Sequence, residues 1–182
     1  MTGTADPAEE IQDFDRVMET YQPVIFRFMF ASLRDRDAAE TLTQDCFLRA
    51  YRHRNRFRGS ASVKTWLMRI AVNLVRDRLR NRRLQFWRRT QLSAIEEYKV
   101  NDSVATRGLS PESQTLLNDQ VSGIWQAAGS LSHMQRSVFL LRFVEEMDLI
   151  EIADALGVTE GTVKSHLSRA LNNIRERIRK SP

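Results

Sequence analysis

A chain of 182 residues with 42% hydrophobic content and a net charge of +5 suffices for one ordinary domain or two small ones. It contains no run of about 18 apolar residues that could cross a bilayer, so no membrane insertion is expected. The opening MTGTADPAEE lacks the apolar stretch of a secretory signal, and a lone cysteine, Cys46, excludes an internal disulfide or a multi-cysteine zinc cage. A cytoplasmic location follows as the expectation, with no metal and no cofactor.

Glycine and proline number only seven and four, which favours helices, and no segment alternates with the period of two that strands require. Residues 1–10 read as a loose tail. Residues 12–33 place Phe14, Val17, Met18, Tyr21, Val24, Ile25, Phe28 and Met29 three and four apart, an amphipathic helix with a possible kink at Pro23. A second helix spans residues 37–54, with Ala38, Leu42, Cys46, Phe47, Ala50 and Tyr51 as its apolar rows. Cys46 reads as a small buried hydrophobe. The stretch Arg58-Gly59-Ser60-Ala61-Ser62 is a turn in which Ser60 or Ser62 can cap the next helix. That third helix, over residues 63–83, turns Trp66, Leu67, Ile70, Ala71, Leu74 and Leu79 inward.

Charge is unevenly spread. Residues 1–48 hold ten acids against four arginines, whereas residues 49–89 hold thirteen arginines and Lys64 against Asp77 alone. Cations interleaved with Phe57 and Trp66 suit single-stranded nucleic acid, since bases stack on rings while cations follow phosphates. The same two aromatics also stand in apolar register, where they would be core. Asn73 and Asp77 share a face, placed to read a base edge or to bond each other. Residues 90–112 then lose periodicity and turn acidic. A stretch of this length is long for a connection inside one compact domain and reads as a linker. The expected architecture is all-α: two small helical domains, residues 11–88 and 112–180, on a flexible linker over 89–111.

Beyond the linker, helices are expected near residues 112–129, 132–145, 148–156 and 159–179. In the last two, Ile152, Ala153 and Leu156 form an apolar stripe, Gly157 permits a left-handed turn, and Thr159 can cap the next helix. Val163, Leu167, Leu171, Ile174 and Ile178 continue the buried stripe. Ala153, Gly157 and Val163 stand at helix-turn-helix spacing. The opposite face presents Lys164, Ser165, Ser168, Arg169 and Asn172 and reads as lacking acidic partners, as a helix lying in a DNA major groove would. A solvated face on an ordinary helical hairpin is the plainer reading. His166, without other ligands nearby, does not indicate a metal.

FRGSASVKTWLMRIAVNLVRDRLRNRR, preceded by TLTQDCFLRAY and followed by LSHMQRSVFLLRFVEEMDLIEIADALGVTEGTVKSHLSRAL, resembles an extracytoplasmic-function (group IV) RNA polymerase sigma factor. The likeness covers about residues 14–83 and 112–178. It implies an alternative sigma factor that directs core polymerase to promoters without chemistry of its own. By the same resemblance, Thr162, Lys164, Ser165, His166, Ser168 and Arg169 would read the −35 duplex. Ser60, Ala61, Ser62, Val63 and Lys64, with Asn73, Asp77 and Arg80, would hold the melted −10 strand and a flipped base. Gln44, Asp45 and Arg49 would dock on the coiled coil of the polymerase β′ subunit. The acidic linker would thread the RNA exit channel, and an anti-sigma factor would cover these faces. Thr41 stands where an acid is common, His166 where arginine is common and Leu149 where tyrosine is common.

Two other functions are weighed against this one. TVKSHLSRAL also resembles the reading helix of response regulators, so a stand-alone helix-turn-helix regulator is the alternative; it leaves the arginine helix unexplained. An enzyme acting on nucleic acid would need a phosphate-binding glycine loop, paired metal carboxylates or a nucleophile beside a base, and none is present in the sequence.

Overall fold

Acidic and hydroxyl residues start most of the helices. The computed structural model describes residues 6–92 and 124–180. Asp6 accepts from the Ala8 amide at 2.9 Å and Pro7 occupies the first turn, so a short helix, α1 (Pro7–Glu10), forms where a loose tail was expected. Two further contacts hold it: Ile11 is buried in the core, and the Tyr21 hydroxyl donates to Glu10 Oε1 at 2.9 Å. Burial, reinforced by this bond, raises the Tyr21 pKa to about 12.

Helix α2 (Phe14–Leu33) begins at Asp13, continues through the exposed Pro23, and ends at Arg34 in the left-handed conformation, φ 53°. Asp35 accepts from the Ala38 amide at 3.0 Å to start α3 (Arg36–His53). A single 3₁₀ turn, Arg54–Arg56, leads to a bend in which Gly59 takes φ 68°. Ser62 then accepts from the Thr65 amide at 3.1 Å, opening α4 (Val63–Leu92). Helix α4 therefore runs past the expected linker start at 89. The rest of the expected linker, and residues 112–123 of the helix predicted after it, lie outside the described residues.

Helices α2, α3 and α4 pack mutually around Ile25, Phe28, Met29, Ala39, Cys46, Ala50, Leu67, Met68 and Ala71, each 0% exposed. Tyr51 departs from its expected core position. It is 48% exposed, edge-on to Phe14 with the Arg54 guanidinium over its ring at 3.7 Å. Phe57 and Trp66 are half-buried, with ring centroids 5.0 Å apart against the core, which favours packing over a base-stacking role.

The second module comprises α5 (124–129), α6 (His133–Phe143), α7 (Leu149–Leu156) and α8 (Glu160–Lys180). Reciprocal capping boxes start α6 (Ser132 with Gln135) and α7 (Asp148 with Glu151). Ile178, expected in the buried stripe, is exposed: α8 makes its last buried contact at Ile174. The modules are not held apart. Helix α4 packs on α7, and α2 packs on α6, so the two apolar interiors join in one cluster.

Candidate nucleic-acid interface

The α7–α8 pair has helix-turn-helix geometry. Gly157 ends α7 at φ 66°, its amide donating back to Ala153 and Asp154 carbonyls. The Thr162 amide donates to Thr159 Oγ1 at 3.3 Å, and the two threonine hydroxyls bond each other at 2.9 Å. Ile152, Val163 and Ala170 are sealed in the core, which fixes the rotation of α8 about its axis. That rotation points Lys164, Ser165, Ser168, Arg169 and Asn172 outward, all exposed.

Two side chains on this face depart from the sequence reading. Lys164 does have an acidic partner: its Nζ lies 2.6 Å from Glu160 Oε1, one helical turn back. Such an exposed pair contributes about 0–1 kcal/mol, so Lys164 can exchange it for a phosphate at little cost. His166 is half-buried, with its Nδ1 covered and lacking a hydrogen-bond partner, so that edge of the ring is turned away from solvent. Thr162 is half-buried and committed to the cap. Arg169 has no ion-pair partner among the described residues.

On the first module, the turn before α4 exposes Ser60 and Ser62 and half-covers Ala61, whereas Val63 is 0% exposed and belongs to the core. The Val63 side chain is therefore unavailable to a base. Asn73 and Asp77 are half-buried one turn apart; Asp77 pairs with Arg80 at 3.4 Å rather than with Asn73. On α3, Gln44 and Arg49 are exposed and Asp45 is half-buried. Gln44 lines a shallow hollow of about 340 Å³ together with Gln22, Phe26, Arg36, Glu40 and Thr43. Phe26 stood outside the apolar rows of the sequence, which carry no sign of this hollow. Thr41, just outside it, donates to the Asp37 carbonyl at 2.9 Å. Cys46 is fully buried, which drives its thiol pKa up to about 12, so it is inert as a nucleophile.

Lys64 is half-buried because the second module covers it: its Nζ donates to the Glu145 carbonyl. The Glu145 carboxylate, 0% exposed, takes two bonds from Arg27 of α2, at 3.0 Å and 2.7 Å. This fork raises the Arg27 pKa. Arg69 donates to the Asp154 carbonyl at 3.0 and 2.8 Å and also pairs with its carboxylate. Thr65 meets Glu151 at 3.4 Å, and Arg136 reaches the Ser32 carbonyl at 2.9 Å. No sequence spacing signals these bonds, whose partners are 81 to 118 positions apart.

The fold and these surfaces define a class: a two-module, all-helical DNA-binding protein with a helix-turn-helix in its second module. Residues 17–85 match the Sigma-70 region 2 family and residues 123–174 match Sigma-70, region 4. Over 160 residues the chain is 31% identical to the RNA polymerase sigma-H factor of Pseudomonas aeruginosa, covering 86% of this chain and 81% of that one. It is 28% identical over 166 residues to the ECF RNA polymerase sigma factor SigW of Bacillus subtilis, covering 91% and 89%. Two solved structures share the fold. The sigma factor RpoE in complex with the anti-sigma factor NepR, from Bartonella quintana, aligns with a TM-score of 0.65 at 24% identity, covering 94% of this chain and 99% of that one. CnrH in complex with the cytosolic domain of CnrY aligns with 0.67 at 16% identity, covering 96% of each. The chain belongs to the extracytoplasmic-function RNA polymerase sigma factors and is an alternative sigma factor.

Proposed function

We propose that this sigma factor is of group IV and acts in the cytoplasm. In this reading residues 11–88 bind core polymerase and the −10 element, and residues 112–180 read the −35 element as duplex. The observation that carries the reading is the outward face of α8, where Lys164, Ser165, Ser168 and Arg169 stand exposed on a helix whose opposite face is sealed by Val163 and Ala170. A helix of about 10–12 Å diameter enters the major groove, where arginine can meet both guanine acceptors and serine can bond either partner. Thr162 and His166 have a supporting role there, one as the cap and one as packing.

Ser60, Ala61, Ser62, Lys64, Asn73, Asp77 and Arg80 form the proposed −10 surface. Extruding a base costs a few kcal/mol, which the pocket must offset. The Arg80 partner leaves Asp77 an oxygen with which to accept from a base amino group. Gln44, Asp45 and Arg49 are the proposed polymerase contact; the hollow beside Gln44 adds Phe26, Arg36 and Glu40. An anti-sigma factor is the proposed inhibitor, by likeness to RpoE solved with NepR.

The test is anisotropy titration against −35 duplexes. Arg169→Ala weakens binding by about 1–3 kcal/mol and relaxes base preference, whereas Lys164→Ala weakens all sequences alike and flattens the salt slope by about 0.9. Unchanged affinity in both variants refutes the assigned face. Asn73→Ala preserves duplex binding and lowers permanganate reactivity of the melted −10 strand; normal melting removes Asn73 from the pocket.

A further inference from the structure

Beyond its packing, His166 turns two chemically different edges in two directions. Its Nδ1 is sealed and has no hydrogen-bond partner, whereas Nε2 stays open to solvent and is bonded to no group among the described residues. The residue stands three positions after Val163 and four before Ala170, both 0% exposed, so it flanks the sealed stripe of α8. Thr162 and Arg169 share that flank, one turn to either side. The Thr162 hydroxyl is already bonded to Thr159, and Asn173, two turns on, donates to Gln135 Oε1 at 3.3 Å. Of these four polar side chains, His166 through Nε2 and Arg169 have no protein partner among the described residues.

The sealed edge decides where the ring carries its proton. An N–H shut away without an acceptor forfeits a bond that water would otherwise supply, and a bare lone pair is the milder loss. The proton therefore belongs on Nε2, where it faces outward as a donor. Burial of the other edge fixes the ring, so this donor keeps one direction. The direction matters because a helix about 10–12 Å across fills a groove about 12 Å wide. Ser165, Ser168 and Asn172 form the outward line of α8 that meets the groove floor. A side chain rotated from that line toward the protein meets the groove wall, where the acceptors are phosphate oxygens.

We propose that His166 is a fixed, uncharged hydrogen-bond donor, through Nε2–H, to one phosphate on the wall of the −35 major groove, and so sets the register of α8 without reading a base. The proposal rests on the −35 reading given above. A donor without charge displaces no counterion, so this contact adds affinity and leaves the salt dependence as it is, in contrast to Lys164.

The experiment titrates the full chain by anisotropy against −35 duplexes, with helical circular dichroism verifying the fold of each variant. His166→Phe keeps a ring and removes the donor. It weakens every duplex alike, on the order of tenfold, at an unchanged slope of log K against log salt. His166→Gln, whose amide nitrogen reaches about as far as Nε2, restores binding to within about twofold. His166→Asn, whose amide nitrogen reaches only the place of Nδ1, does not. Replacing phosphates one at a time with uncharged methylphosphonate locates the acceptor: one replacement weakens the unsubstituted chain and leaves His166→Phe no weaker.

A phenylalanine variant that binds as well as the unsubstituted chain, or better than His166→Gln, assigns the residue to packing alone and overturns the donor. A slope flattened by about 0.9 in His166→Phe reveals a charged contact and overturns the uncharged one. Weakening confined to one base pair, with no coupling to any phosphate, overturns the wall contact. Arg169→Ala separates the proposal from its foundation. If it weakens the duplex and His166→Phe does not, the proposal falls and the −35 reading stands; if neither variant alters binding, the −35 reading fails and the proposal with it.

Discussion

Two glycines in the helix-turn-helix predict opposite responses to the same substitution. At Gly157 a methyl group would find no atom within 4 Å, so Gly157→Ala meets no steric clash. The backbone there sits at φ 66°, however, a conformation that costs an L-residue about 1–2 kcal/mol. Unfolded alanine has less freedom to lose than glycine, which returns part of that cost. The net destabilisation is then about 1 kcal/mol, with Gly157→Asn costing less because asparagine tolerates this region. Gly161 lies in the first turn of α8 at ordinary negative φ, with only Thr159 Oγ1 near its added methyl, at 3.9 Å. Gly161→Ala therefore stabilises by up to about 0.5 kcal/mol, less than mid-helix because the first turn has fewer helical constraints. Urea unfolding followed by circular dichroism reads both as midpoint shifts at unchanged slope. Equal shifts of the same sign, or a loss of several kcal/mol at Gly157, would refute the separation of backbone strain from packing.

Further outcomes follow from other sites. Burial, and then the charges of Arg136 and Arg76, lower the pKa of His133 at the start of α6, so folding favours its neutral form. Its contribution is whole above the ordinary value of 6.5 and is lost as pH falls through the lowered pKa. His133→Gln should flatten the stability profile between neutral and mildly acidic pH in urea titrations; an identical slope in both chains would remove His133 from the balance. Cys46, with its thiol pKa near 12, should resist alkylation in the native chain and react only on unfolding; rapid native labelling would contradict its burial. Asp148→Ala breaks the capping box of α7 and should cost about 1 kcal/mol of stability; a neutral result would show that Glu151 alone suffices.

Periodicity and caps made most of the fold readable in advance. Ile152, Gly157, Thr159 and Val163 announce a helix-turn-helix because each meets a local demand: apolar burial, positive φ, an amide without a partner. Those demands are satisfied within a few residues, so the α8 face with Ser165, Ser168 and Arg169 was legible too. The capped α1 was missed because four residues carry too little periodicity to register. Tyr51 and Ile178 matched the apolar rows yet lie exposed, since spacing says which side of a helix is greasy but not where neighbouring helices stop.

The sequence alone determined a helical chain of two modules with cationic faces, because helix formation, capping and amphipathic stripes depend on neighbours three or four residues away. Only the tertiary structure decided which cations are occupied. Lys64 and Arg69 lie in the cation-rich stretch of the chain and Arg27 in its acidic first part, and folding made all three partners of the Glu145–Asp154 segment. Coulombic attraction and burial act through space, and no spacing within a helix records a contact made across 118 positions.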